Sequence, residues 1–428
     1  MSFKEIKEER FGITYYELHH SSGLTIYACP QEGFRSAYAV IGTNFGSMNA
    51  EFIHNGNKIT VPDGTAHYLE HKLFESEEGD AFSQYAKTGA SANAYTSFDH
   101  TCYLFSCTER FGESLEILFD LIQSPYFTPE TVAKEQGIIG QEIKMYDDSP
   151  DWRVTMNLLQ SMYQKHPINK DIAGTVETIA EITPEILYEC YHSYYNLNNM
   201  VLCIAGNADL GLIEEIADKK LKINEAVQTE SIFPDEPYEV GKSYVEQSLP
   251  VAMPMMALGF KEEAGKGFAS TKELLCSSIL LEAFAGEGSA LYRKLLDKKL
   301  INSTFGTEYM EGKGYRTVIF EGETADPAAL SRILKEEITL LHQQGISQQD
   351  FESAKRCTYG RLARGLDAPS SVASSMIGAA FAGRKLFESI ELIADITLED
   401  VNERLKEQLD VQNCCLSVIK GIEGISQT

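Results

Sequence analysis

Two stretches of this 428-residue chain follow the same order of signals, and that repetition limits the fold more than any other feature. In the first, a β-rich run passes into a helix opened by acidic residues and then, after a turn, into a second long helix: CYLFSCTERFGESLEILFDLI, then SPYFTPETVAKEQGIIGQEIKMY. The order returns in the second as RTVIFEGETADPAALSRILKEEI and QGISQQDFESAKRCTYGRLA. The match is one of pattern rather than identity, as in a diverged duplication. A polar, proline-containing segment, KKLKINEAVQTESIFPDEPYEVG, separates the copies. The expected organisation is a domain over residues 1–220, a linker over 221–240 and a second domain of similar fold over 241–428. The fold class expected is α+β: two homologous halves, each an antiparallel sheet with helices packed mainly on one side.

Charge narrows the partners. A formal net charge of −26 argues against nucleic acid, because binding a polyanion needs a basic footprint. The opening MSFKEIKEERFG is too charged for a signal peptide, and no uninterrupted apolar run approaches membrane-spanning length, so a cytoplasmic chain without membrane contact is expected. Nine cysteines, without a C-x-x-C pair and mostly in apolar stretches, read as buried thiols in a reducing compartment.

The stretch GTAHYLEHKLFES carries the chemistry. Its apolar residues Ala66, Leu69, Leu73 and Phe74 recur at helical spacing, which predicts a helix starting near Asp63 or Thr65. On such a helix His67 and His71 lie on one face, one turn apart, with Glu70 between them. Two imidazoles pointing into one space suit a metal, but catalytic zinc usually takes three protein ligands and keeps a fourth position for water. FTPETVAKEQGIIGQEIKMYDDSP offers carboxylates on a second helix, with Thr128 as its cap, Pro129 in its first turn, and Glu135 and Glu142 seven residues apart on one face. The helix equivalent to the histidine helix in the second copy, around KELLCSSILLEAF, has no histidine, so any metal chemistry belongs to the first half. Gly286 to Ala290 lacks the G-x-S-x-G elbow, and Ser289 there reads as a helix cap.

With H-x-x-E-H in place of H-E-x-x-H, the first half resembles the inverted zinc peptidases, the family of pitrilysin, insulin-degrading enzyme and the mitochondrial processing peptidase. TGASANAYTSFDHTCYLF is similar to the family's strand segment after the zinc helix, and YYNLNNMVLCIAGNAD to a later one. The resemblance implies one Zn²⁺ per chain held by His67, His71 and Glu142, with Glu70 as the general base. It gives Glu135 the part of a carboxylate that orients a histidine. It places Asn93 and Ala94 on an edge strand that binds an extended peptide, with Tyr95 lining a pocket.

The second half departs from the family pattern. Leu296 stands where many active members have an arginine, and no tyrosine follows at the right distance. A chain of this length supplies half of the family's four-domain clamshell, so the resemblance implies a second subunit. The expected partner is a zinc-less homologous chain in a heterodimer, with a homodimer as the runner-up. The implied function is cleavage of peptides or small unfolded proteins in a chamber formed with that subunit. The alternative is a non-catalytic peptide-binding or assembly subunit with a vestigial metal site.

Overall fold

The computed structural model describes residues 2–422 apart from Glu78, Asn224 and Lys266. Two compact units emerge: Met1–Ile143 with Asp171–Ile232 and Ala363–Glu388, and Lys144–Lys170 with Phe233–Leu362 and Ser389–Thr428.

The first unit is built on a seven-stranded sheet. Its spatial order is Lys4–Glu8, Ile13–His19, Thr25–Pro30, Met200–Gly206, Ala37–Thr43, Thr101–Cys107 and, at the edge, Ser91–Thr96. Five strands order the second unit: Tyr244–Leu249, Cys414–Gly421, Met255–Lys261, Tyr315–Glu323 and, at the edge, Gly306–Gly312. The last five strands of the first sheet and the five of the second share one scheme. In each, a parallel pair is followed by three antiparallel pairs. The repeated signals in the sequence thus correspond to a repeated α+β fold.

Neither unit is a contiguous half of the chain, which differs from the division expected at the linker. Helix Pro150–Met162 packs on Tyr244–Leu249, Met255–Lys261 and Cys414–Gly421 of the second unit, while Pro369–Phe381 packs on Thr25–Pro30, Ala37–Thr43 and Met200–Gly206 of the first. Each half therefore gives one helix to the other half's sheet. Glycines at matching register positions make room for these helices. Gly42 pairs with Val201 and Gly259 with Cys415, each the second residue of its partner strand. A Cβ at Gly42 would stand 2.7 Å from the Phe381 ring, and one at Gly259 would stand 2.5 Å from Met162 Sδ.

The expected linker is also less independent than its composition suggests. Thr229–Ser231 forms a short strand against Glu51–His54, and Glu236 accepts the backbone N–H groups of Gln164, Lys165 and His166. Hydrogen-bonding side chains hold a polar segment that has little apolar surface to bury. Asn224, inside that expected linker, lies outside the described residues.

By length and composition alone, Thr271–Asp297 is apolar enough to cross a membrane, although polar and charged residues interrupt its apolar runs. It is two helices, Thr271–Ala285 and Ala290–Asp297, broken at Gly286, and Ile279, Leu280 and Leu295 are wholly buried in the second unit's core. Ser289 caps the second of them, its hydroxyl accepting from the N–H of Tyr292. Eight cysteines are buried and Cys357 is exposed; none forms a disulfide.

Candidate metal centre

The histidine helix runs over Thr65–Leu73, and eight of its nine residues are buried. Gly64 opens it at φ 92°, a conformation open to glycine, with the Ala173 carbonyl so close that a Cβ would lie 2.5 Å from its oxygen. Tyr68 Oη donates to the carbonyl of Val132, which ties this helix to Pro129–Asp147. The second helix starts as the sequence implied, with the N–H of Thr131 donating to Thr128 Oγ1. Its residues Val132, Ile139 and Ile143 are buried, which turns Glu135 and Glu142 toward the histidines.

His67 Nε2 lies 3.6 Å from Glu142 Oε1 and His71 Nε2 lies 3.3 Å from Glu142 Oε2. One ligand atom from each of these three residues falls within 4.8 Å of the others. Tetrahedral zinc with bonds near 2.0–2.1 Å separates its ligands by roughly 3.4 Å, so the two histidine–Glu142 separations already lie close to the spacing the ion requires. Two neutral imidazoles and one carboxylate are also a donor set zinc accepts, and they leave the centre net positive. The arrangement tightens through Glu135, whose Oε1 lies 3.0 Å from His71 Nδ1. His67 Nδ1 is buried without a hydrogen-bond partner among the described residues.

Electrostatics follow from this packing. The hydrogen bond with His71 holds Glu135 below the usual carboxylate range, despite the cost of burial, and the nearby Lys72 charge adds to the effect. Burial opposes a charged His71, but hydrogen bonds with Glu135 and Glu142 outweigh it and push the imidazole up to about 10. A metal bound here would compete with a proton for His71. Burial pushes the Glu70 carboxyl above its ordinary range, while His67, His71 and a hydrogen bond from Thr96 pull the other way.

Glu70 stands beside the histidines, and Thr96 Oγ1 donates to its Oε2 at 3.0 Å. Asn93, Ala94 and Tyr95 share the strand Ser91–Thr96, which pairs on one side with Thr101–Cys107 and lies at the edge of the sheet. Asn93 and Tyr95 are exposed, and Asn93 Oδ1 accepts the N–H of Ala94 at 2.9 Å. Three neighbours of Glu70 escaped the sequence reading. Besides Thr96 they are Tyr103 and Tyr195, buried, joined through their hydroxyls at 2.8 Å and close enough to feel the Glu70 charge. Thr96 was within reach, one residue beyond Asn93–Tyr95, and on a strand its side chain faces opposite to Tyr95. No local signal marks Tyr195.

Two repeated α+β units, one with an H-x-x-E-H helix facing a carboxylate from a second helix, define the class: a zinc-protease-like fold. Residues 52–176 match the model of the insulinase family (peptidase family M16), and residues 181–357 match the peptidase M16 inactive domain. The uncharacterized zinc protease YmfH of Bacillus subtilis (strain 168) is 38% identical over 423 residues, 95% of this chain and 96% of that one. This chain belongs to the insulinase family, peptidase family M16. The crystal structure of a putative M16-like peptidase from Alicyclobacillus acidocaldarius superimposes with a TM-score of 0.92 at 34% identity, covering 99% of each chain. The periplasmic protease PqqL from Escherichia coli has the fold at a TM-score of 0.73 and 17% identity, with 98% of this chain covering 47% of that one.

Proposed function

We propose that this chain is the zinc-bearing subunit of an endopeptidase that acts on peptides or small unfolded proteins. One observation carries the reading: His67, His71 and Glu142 converge from two helices to ligand spacing, with the buried carboxylate of Glu70 beside them. Bound zinc would supply a Lewis acid that acidifies water and polarises the scissile carbonyl. Glu70 takes the proton released by the attacking water and delivers it to the leaving amine. Glu135 touches His71 rather than the centre of the site, so it is a positioning residue that fixes the ring nitrogen bearing the proton. Residues Asn93 to Tyr95 bind the substrate as an added strand, where main-chain hydrogen bonds give affinity with little demand on sequence.

The active assembly in this proposal is a heterodimer with a zinc-less homologous chain. Leu296 is 46% exposed on Ala290–Asp297, where many active members of the family carry an arginine, so the missing cation has to come from a partner. A peptide hydrolysis assay with zinc quantified in the same sample, run on the chain alone and mixed with lysate of its source cells, tests both statements. Hydrolysis only after mixing supports the heterodimer. Full hydrolysis by the chain alone favours a homodimer. Stoichiometric zinc without hydrolysis by any assembled form means a non-catalytic binding subunit.

A further inference from the structure

We propose that Thr96 is the positioning residue of the general base: its hydroxyl fixes Oε2 of Glu70, leaving Oε1 as the oxygen that takes up the proton. The proposal rests on the peptidase reading above.

A glutamate carboxylate turns easily about its last torsion, because that well is broad and two-fold. Burial restricts where Glu70 sits but not which oxygen faces the reaction, so an outside contact has to choose. Among the described residues the single hydrogen bond to the Glu70 carboxylate comes from Thr96 Oγ1, at 3.0 Å. The proton of that hydroxyl is committed. Its neighbour Thr101 gives its own proton to the Phe45 carbonyl at 2.8 Å, and Thr101 Oγ1 stands 3.4 Å from Thr96 Oγ1. Glu70 Oε2 is therefore the nearer and more strongly accepting partner for Thr96.

The support is stiff as well as specific. Thr96 is β-branched, which limits its side-chain rotation, and its backbone pairs with Thr101 at the end of the edge strand Ser91–Thr96. The base is thus held by the same strand on which the substrate is proposed to lie. Peptide added along Asn93 to Tyr95 braces that strand and, with it, the Thr96 contact.

The test compares wild type, Thr96→Val, Thr96→Ser and Glu70→Gln as full-length chains in the most active assembly found, with zinc content and melting temperature measured alongside kinetics. Valine keeps the shape and removes the hydroxyl. Thr96→Val is expected to lower kcat about 10- to 100-fold with KM and zinc content unchanged and the protein still folded at the assay temperature. Serine should restore kcat to within about threefold of wild type, and Thr96→Val should add little to Glu70→Gln, since a misaligned base that is already absent costs nothing further. The proposal is overturned by full kcat in Thr96→Val, by a serine variant as slow as valine, or by an equal further loss on the Glu70→Gln background. Wild type inactive in every assembly removes the peptidase reading itself, and this one with it; wild type active and Glu70→Gln inactive secures that reading whatever Thr96 does.

Discussion

Glu135 Oε1 sits 3.0 Å from His71 Nδ1, on the opposite side of the ring from Glu142, whose Oε2 is 3.3 Å from His71 Nε2. One imidazole is therefore gripped at both nitrogens by two carboxylates of a single helix, two turns apart. Glu135→Ala should weaken zinc binding or activity about 10- to 100-fold, since removing a carboxylate that orients a ligating histidine costs that much elsewhere. Competition titration with a chromophoric chelator measures it. Affinity and turnover equal to wild type would show that His71 needs no such support.

Glu70→Gln keeps the size of the side chain and its contact with Thr96 but cannot accept the proton. Zinc content should stay at one per chain while turnover falls by roughly 10² to 10⁴. Metal analysis and steady-state kinetics on one preparation separate the two. Undiminished turnover would refute Glu70 as the base.

His166 makes stability depend on pH. Its ring is buried, Nε2 donates to the Lys313 carbonyl at 2.9 Å, and Nδ1 accepts the N–H of Ile168 at 3.2 Å, which leaves no place for a second proton. Burial lowers its pKa from 6.5 to about 4. The unfolded chain therefore binds the proton more readily, so His166 contributes nothing to a pH trend above about 6.5 and destabilises the fold progressively as pH falls from 6.5 toward 4. Between pH 7.5 and 5 the loss from this group is about 2 kcal/mol. Denaturant unfolding at both pH values should show a smaller difference in His166→Asn than in wild type; an equal difference would remove His166 as a cause.

Gly259→Val tests the seat of the exchanged helix Pro150–Met162. The added Cβ meets Met162 Sδ at 2.5 Å and Leu158 Cδ2 at 2.8 Å, so the helix has to shift or its side chains leave their preferred rotamers. A loss of about 1–3 kcal/mol is expected from such overpacking, read as a lower denaturation midpoint. A midpoint unchanged from wild type would mean that the flexible ends of Met162 and Leu158 absorb the new atoms.

Whatever local spacing sets was legible from the order of residues. His67, Glu70 and His71 fall on one turn because the helical repeat puts residues i and i+4 on one face, and Glu135 and Glu142 share a face two turns long for the same reason. The repeated order of strands and helices likewise foretold two α+β units of matching topology, because each copy writes its own hydrophobic period. Which faces meet depends on packing between distant segments, which no local spacing records. That Glu135 reaches His71 across 64 residues, or that Thr96 rather than another hydroxyl holds Glu70, depends on the packing of Tyr68 against Val132 and on the register of Ser91–Thr96 with Thr101–Cys107. The exchange of Pro150–Met162 and Pro369–Phe381 was hidden for the same reason: an apolar helix face records that it is buried, not which sheet covers it, and Gly42 and Gly259 acquire their meaning only when those helices arrive.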